Sequence, residues 1–170
     1  MGVENHIAKK QLVDQGRAHG ILVFGNAEPI GWCQYGSSDE LHGPGVPETS
    51  EPVWRITFFV VDKNHRRHGV AGISLRAALE AIRNKGGGLV EAYPVACWTH
   101  GRNGSAGPVY VQGVGPVAPA CGGFGNVSTS GIASMFGREG FEAVSVCGPA
   151  SARVRSHDAD GCHVLMRKRV

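Results

Sequence analysis

No run of apolar residues in this 170-residue chain approaches the ~20 that a membrane-spanning helix needs, so a helical membrane protein is excluded. Charge of one sign is also scarce. Seventeen Lys and Arg stand against fourteen Asp and Glu, a net charge of +3. No concentrated basic face of the kind that grips nucleic acid follows from that balance, and the tail Arg167-Lys168-Arg169 reads as a solvated chain end. The start, Met1-Gly2-Val3-Glu4-Asn5-His6, lacks the basic-then-apolar pattern of a secretion signal. It also has His6 where a myristoylation signal carries Ser or Thr. These absences predict a cytoplasmic protein. The cysteines Cys33, Cys97, Cys121, Cys147 and Cys162 are odd in number and scattered, which argues for free thiols over a disulfide framework. Zinc-like spacing is missing too: Cys97 with His100, and Cys162 beside His163, find no second ligand pair, so no metal is expected.

What is present fits a folded domain. An apolar fraction of 42% and a charged fraction of 18% are those of a globular protein. A chain of this length forms one domain over residues 1–170 and buries roughly two thirds of its unfolded surface.

Residues 5–17 have sparse helical character, stopped by Gly16 and Gly20. The apolar runs Ile21-Leu22-Val23-Phe24 and Ile30-Gly31-Trp32-Cys33-Gln34-Tyr35 flank a turn-rich spacer and predict a β-hairpin. Residues 37–52 form a polar loop. The densest strand signal covers residues 54–61, apolar at nearly every position, as in a strand covered on both faces. Asp62-Lys63-Asn64-His65 breaks it. Over 69–85 the period becomes helical, with Leu75, Ala78, Leu79 and Ile82 as one stripe. Gly86-Gly87-Gly88 stops this helix, and residues 89–95 make a short strand ended near Pro94. Residues 98–127, rich in Gly and Pro, show no period and read as a long loop or insertion. A short helix over 131–139, capped from among Ser128, Thr129 and Ser130, leads to a strand over 141–147. A last strand over 162–167 pairs with it. Trp32, Trp54 and Trp98 read as core or interface aromatics.

The junction between the strand ending at Asp62 and the helix beginning near Gly69 carries the chemistry. A helix start offers unpaired amides and partial positive charge, which suit a phosphate. Gly69 allows close backbone approach, Ala71 is small, and Arg66 and Arg67 add cationic donors. A solvated turn with surface arginines is the plainer reading of these residues alone.

Agreement along the chain favours the first. Arg66-Arg67-His68-Gly69-Val70-Ala71 fits the (Gln/Arg)-x-x-Gly-x-(Gly/Ala) signature and resembles that of the GNAT acetyltransferases. Glu28-Pro29-Ile30-Gly31-Trp32-Cys33, Val90-Glu91-Ala92-Tyr93-Pro94, and Ser134-Met135-Phe136 with Gly140-Phe141 are similar to one bacterial branch of that superfamily, in the expected order.

The resemblance implies an α/β (α+β) fold, a mixed, mostly antiparallel central sheet flanked by helices, with the family's first strand missing. It implies acetyl-CoA as co-substrate, its pyrophosphate held by amides of His68, Gly69, Val70 and Ala71 beside Arg66 and Arg67. Backbone groups of Phe59, Val60 and Val61 would pair with the pantetheine arm like an added strand. Acetyl would pass directly to an amine, with an amide near Val60 or Val61 steadying the oxyanion. Glu91 is the candidate base, acting through water, or else makes a structural hydrogen bond. Phe136 stands where many members place a Tyr that protonates the departing thiolate, leaving Ser134, Tyr110 or water for that role. The alternative is a catalytically degenerate CoA-binding module with a sensory or structural role. The acceptor stays open among small amines, antibiotics, amino acids and peptide or protein amines. A homodimer would complete a domain lacking its first strand. The look-alike Gly113-Val114-Gly115-Pro116-Val117-Ala118 fails as a dinucleotide fingerprint, since prolines interrupt it and no periodic helix follows.

Overall fold

The computed structural model describes residues 2–41, 49–94, 109–111, 115–117, 133–147 and 163–170. Val95, Cys97, Trp98, His100, Cys121, the caps at 128–130, Cys162 and the loop over 148–161 lie outside the described residues. The elements in chain order are α1 (Gly2–Asp14), β1 (His19–Gly25), β2 (Glu28–Ser37), β3 (Val53–Val61), a 3-10 turn (Lys63–His65), α2 (Val70–Asn84), β4 (Leu89–Ala92), β5 (Val109–Val111), β6 (Gly115–Val117), α3 (Ala133–Arg138), β7 (Glu142–Cys147) and β8 (His163–Arg169). Six strands make a mixed, mostly antiparallel sheet in the order β1-β2-β3-β4-β8-β7. The fold class is the one expected. The chain divides into two compact units, residues 1–90 with Val170, and residues 91–169.

In the first unit, α1 ends in paired closing bonds, Gly16 N–H to Val13 O at 2.9 Å and Arg17 N–H to Leu12 O at 2.8 Å. The helix lies three residues earlier than the 5–17 expectation, and Ile7 and Val13 on it are exposed. The predicted hairpin is tighter than the spacer suggested. Its two-residue turn is Asn26-Ala27, both left-handed (φ 50° and 67°), the geometry that matches strand twist. β1 alternates, with Leu22 and Phe24 exposed. β3 runs antiparallel to β2, with Gly31 opposite Val61, Trp32 opposite Val60 and Cys33 opposite Phe59. Two-sided cover of β3 holds only in part: Ile56 and Phe59 are buried, but Val60 is 47% exposed.

Helix α2 packs on β1, β2 and β3. Its stripe of Leu75, Ala78, Leu79 and Ile82 is buried, as the period predicts, and Leu75, Leu79 and Ile82 each contribute about 1.5–3 kcal/mol. The glycine stop is real. Gly86, Gly87 and Gly88 all take positive φ (104°, 70° and 130°), and Gly87 N–H closes the helix on Ile82 O at 3.0 Å.

In the second unit, β7 and β8 pair antiparallel, Glu142 opposite Arg167 through Cys147 opposite His163, as expected. Phe136, Phe141, Val164 and Met166 are buried. Two sequence readings need correction here. The stretch 98–127 contains a small antiparallel hairpin, β5 with β6, where only loop was expected. Its strands are three residues long, and one holds Pro116, so no period could accumulate. The tail Arg167-Lys168-Arg169 belongs to β8 and is not a solvated chain end: Arg167 pairs with Glu91, and Lys168 Nζ donates to Glu139 O.

Candidate cofactor loop and catalytic residues

The loop after β3 is assembled by local bonds. Asp62 N–H donates to Ile30 O at 2.9 Å, which ties the strand end to β2. The Asp62 carboxylate then accepts from Asn64 N–H at 2.9 Å and meets His65 Nδ1 at 3.0 Å, capping the 3-10 turn. The hydrogen bond from His65, helped by the Asn64 amide, holds this carboxyl below its ordinary value. Arg66 is extended and its Nε donates to Val61 O at 3.3 Å. Arg67 (φ 65°) and Gly69 (φ 79°) are both left-handed, and residues 62–69 are all exposed. A backbone that turns this way exposes its amides along one concave side, a shape suited to anions.

Gly69 is the N-cap of α2 and has no side-chain cap. The first α-helical bond runs from Ile73 N–H to Gly69 O at 3.0 Å, so the amides of Val70, Ala71 and Gly72 have no partner within the helix. A Cβ built on Gly69 meets nothing within 4 Å, so the space beside the helix start is open. Phe59 is 6% exposed and turned into the core, whereas Val60 beside it faces outward.

The catalytic candidates belong to the second unit. Glu91 is 1% exposed and its Oε1 accepts from Arg167 Nη2 at 2.8 Å and Nε at 3.0 Å. Tyr93 Oη donates to Glu91 Oε2 at 3.4 Å. Ser134 stands in the first turn of α3, its Oγ buried and, among the described residues, without a hydrogen-bond partner. Phe136, two residues further on, is fully buried and meets Phe141 edge-on with ring centroids 5.0 Å apart. Tyr110 stands in β5 opposite Pro116. No group of three His, Cys, Asp or Glu gathers among the described residues.

A family model described as the acetyltransferase (GNAT) family matches residues 3–112, a span that contains the loop. The chain belongs to the acetyltransferase (GNAT) family. Solved structures with the same fold include the ribosomal-protein-alanine N-acetyltransferase of Brucella melitensis, 12% identical, covering 98% of this chain and 77% of that one, with a TM-score of 0.58. The aminoglycoside 6'-N-acetyltransferase of Enterococcus faecium is 14% identical, covering 94% and 80%, with a TM-score of 0.53. A GNAT family acetyltransferase of Elizabethkingia anophelis, with acetyl-CoA bound, is 13% identical, covering 95% and 83%, with a TM-score of 0.51. No curated protein matches in sequence.

Sequence reasoning missed three residues in this GNAT protein. Asp62 was legible, because an Asp just before a short helical turn is a capping signal. Arg167 carried no local signal for a partner 76 positions away. Gly31 lies in the segment 28–33 that resembles the family, but nothing in the sequence signals that Val70 of α2 packs over it.

Proposed function

We propose that this chain transfers an acetyl group from acetyl-CoA to an amine by direct attack within a ternary complex, as one GNAT-like domain over residues 1–170. The observation that carries the reading is the exposed, left-handed turn through Arg67 and Gly69, leading into the first amides of α2, which have no partner within the helix. Amides of His68, Gly69, Val70 and Ala71 hold the pyrophosphate, and Arg66 and Arg67 supply charge. Backbone groups of Phe59, Val60 and Val61 bind the pantetheine arm, and one of the last two amides polarises the thioester carbonyl. The neutral amine nitrogen forms a C–N bond at that carbon while the C–S bond breaks; the nitrogen gives up a proton to solvent water, and the departing thiolate takes one up. The acceptor class is an amine of a small molecule or peptide, in keeping with the acceptors named for the Brucella and Enterococcus enzymes.

For Glu91, the two hydrogen bonds from Arg167 to its Oε1 support an anchoring role over a base role, because they tie this buried carboxylate to β8. The proton for sulfur comes from Ser134, Tyr110 or water. A buried, thiol-bearing Cys33 fits a reducing cytoplasm, and exposed Leu22 and Phe24 on β1, first in the strand order and so at an edge of the sheet, fit a homodimer.

The second reading, a CoA-binding module that transfers nothing, is favoured by Phe136, whose buried ring offers no hydroxyl. One pair of measurements decides. Acetyl-CoA is expected to raise the melting temperature, and thiol release is expected with some member of an amine panel. Binding without release across the panel supports the silent module, and no thermal shift at millimolar acetyl-CoA overturns both.

A further inference from the structure

We infer that Gly31 is a positioning residue for the phosphate-binding loop, its missing side chain forming the socket that fixes the first residue of α2. This rests on the reading that residues 66–71 hold the pyrophosphate. Three strands and the helix converge at this point. Gly31 in β2 lies opposite Val23 of β1 on one side and Val61 of β3 on the other. Val70, the first residue of α2, is 5% exposed and drops a γ-methyl into the place where a Gly31 side chain would stand. A Cβ on Gly31 would lie 2.4 Å from Val70 Cγ1, 3.5 Å from Val23 Cβ and 3.7 Å from Val60 O. Ordinary contact begins at 3.4 Å, so alanine at 31 overlaps the methyl by some 1 Å.

That overlap has no easy release. Val70 is β-branched and holds one strongly preferred side-chain rotamer in a helix, so rotation gives little room. Val23 and the Val60 carbonyl close the other sides of the socket. The movable part is the helix start itself, which carries the amides of Val70 and Ala71. Displacing donors by 1 Å weakens every charge-assisted bond they make to an anion, and a misplacement of that size costs as much as 10²-fold in the function it serves. The glycine therefore sets affinity for acetyl-CoA from within the strand layer beneath the helix start, without touching the cofactor.

The test is a double-mutant cycle on the full chain. Gly31→Ala is expected to stay folded, with unchanged far-ultraviolet circular dichroism, and to raise Kd and KM for acetyl-CoA at least tenfold with a smaller change in KM for the amine. Val70→Ala removes the colliding methyl and keeps the amide. In the Gly31→Ala/Val70→Ala protein, Kd for acetyl-CoA is expected to return to within about threefold of the Val70→Ala value. Wild-type affinity in folded Gly31→Ala, or a defect that Val70→Ala does not relieve, overturns the inference. Should Gly31→Ala fail to fold, Gly31→Ser in the Val70→Ala background asks the same question, and weak binding there is the overturning result. Failure of the underlying reading looks different: the wild-type chain itself binds no acetyl-CoA.

Discussion

Glu91 and Arg167, 76 positions apart, meet through two hydrogen bonds to a single carboxylate oxygen, and the carboxylate is all but sealed from water while the guanidinium keeps 30% of its side chain exposed. Removing Arg167 takes both of these bonds, and their positive charge, from a buried carboxylate. Arg167→Ala should therefore lower stability by about 3 kcal/mol, the low end of the range for buried pairs because Arg167 still touches water. Urea unfolding checks this. Glu91→Gln/Arg167→Met should recover part of the loss. Glu91→Gln breaks the same pair and should also lower stability; turnover in the folded variant then decides the role, since its loss marks Glu91 as the base and its retention leaves it an anchor.

Gly69 tests the loop. At a left-handed φ, any side chain is strained, and an added carboxylate repels the diphosphate. With acetyl-CoA at 100 times its Kd, the wild-type protein should gain about 2.7 kcal/mol of stability, read as a thermal shift. Gly69→Asp should show no shift at the same concentration.

Ser134→Ala is expected to leave stability unchanged or slightly raised, since the buried hydroxyl makes no hydrogen bond among the described residues. Turnover decides its role. A fall in kcat of more than tenfold, with KM for acetyl-CoA unchanged, assigns Ser134 the proton given to sulfur; an unchanged kcat leaves Tyr110 or water.

Cys33 sets a high-pH limit. Burial pushes its thiol from 9.0 up to about 12. The neutral form is favoured by folding, so this stabilisation is complete below pH 9 and drains away as pH climbs from 9 toward 12, a loss of up to roughly 4 kcal/mol. Chemical unfolding at pH 8 and pH 10.5 should differ in that direction, and Cys33→Ala should flatten the difference. Alkylation at pH 8 should label Cys33 only in the unfolded chain.

Asp62 sets an acid limit on the loop. Its carboxyl is held below the ordinary 3.8, so the cap is intact at higher pH and is lost as pH falls through the depressed value. Asp62→Ala should weaken acetyl-CoA binding at pH 7, and the wild-type protein should lose affinity only below about pH 4. Isothermal titration across that range measures both.

Most of the first unit could be read from residues alone. The hairpin, β3, the stripe of α2 and the glycine stop each have strong local periods or punctuation, and local physics dominated their structure. Exposure was less legible. Val60 looks buried by composition yet faces outward, because cover on a strand depends on neighbours the sequence does not name. The second unit was poorly legible for a similar reason. The pairing of β7 with β8 was expected, but Lys168 and Arg169 continue β8 past its expected end at 167, and three-residue strands such as β5 leave no period to detect.

The glycine triplet after α2 makes this short link fragile to missense change. Nearly every missense codon there introduces a side chain at positive φ, and at two of the three sites the new carbon would lie within 2.3 Å of a backbone oxygen, Val170 O for Gly87 and Pro52 O for Gly88. A saturation library selected for folded protein should retain variation at the exposed face of α2 and almost none at 87 and 88.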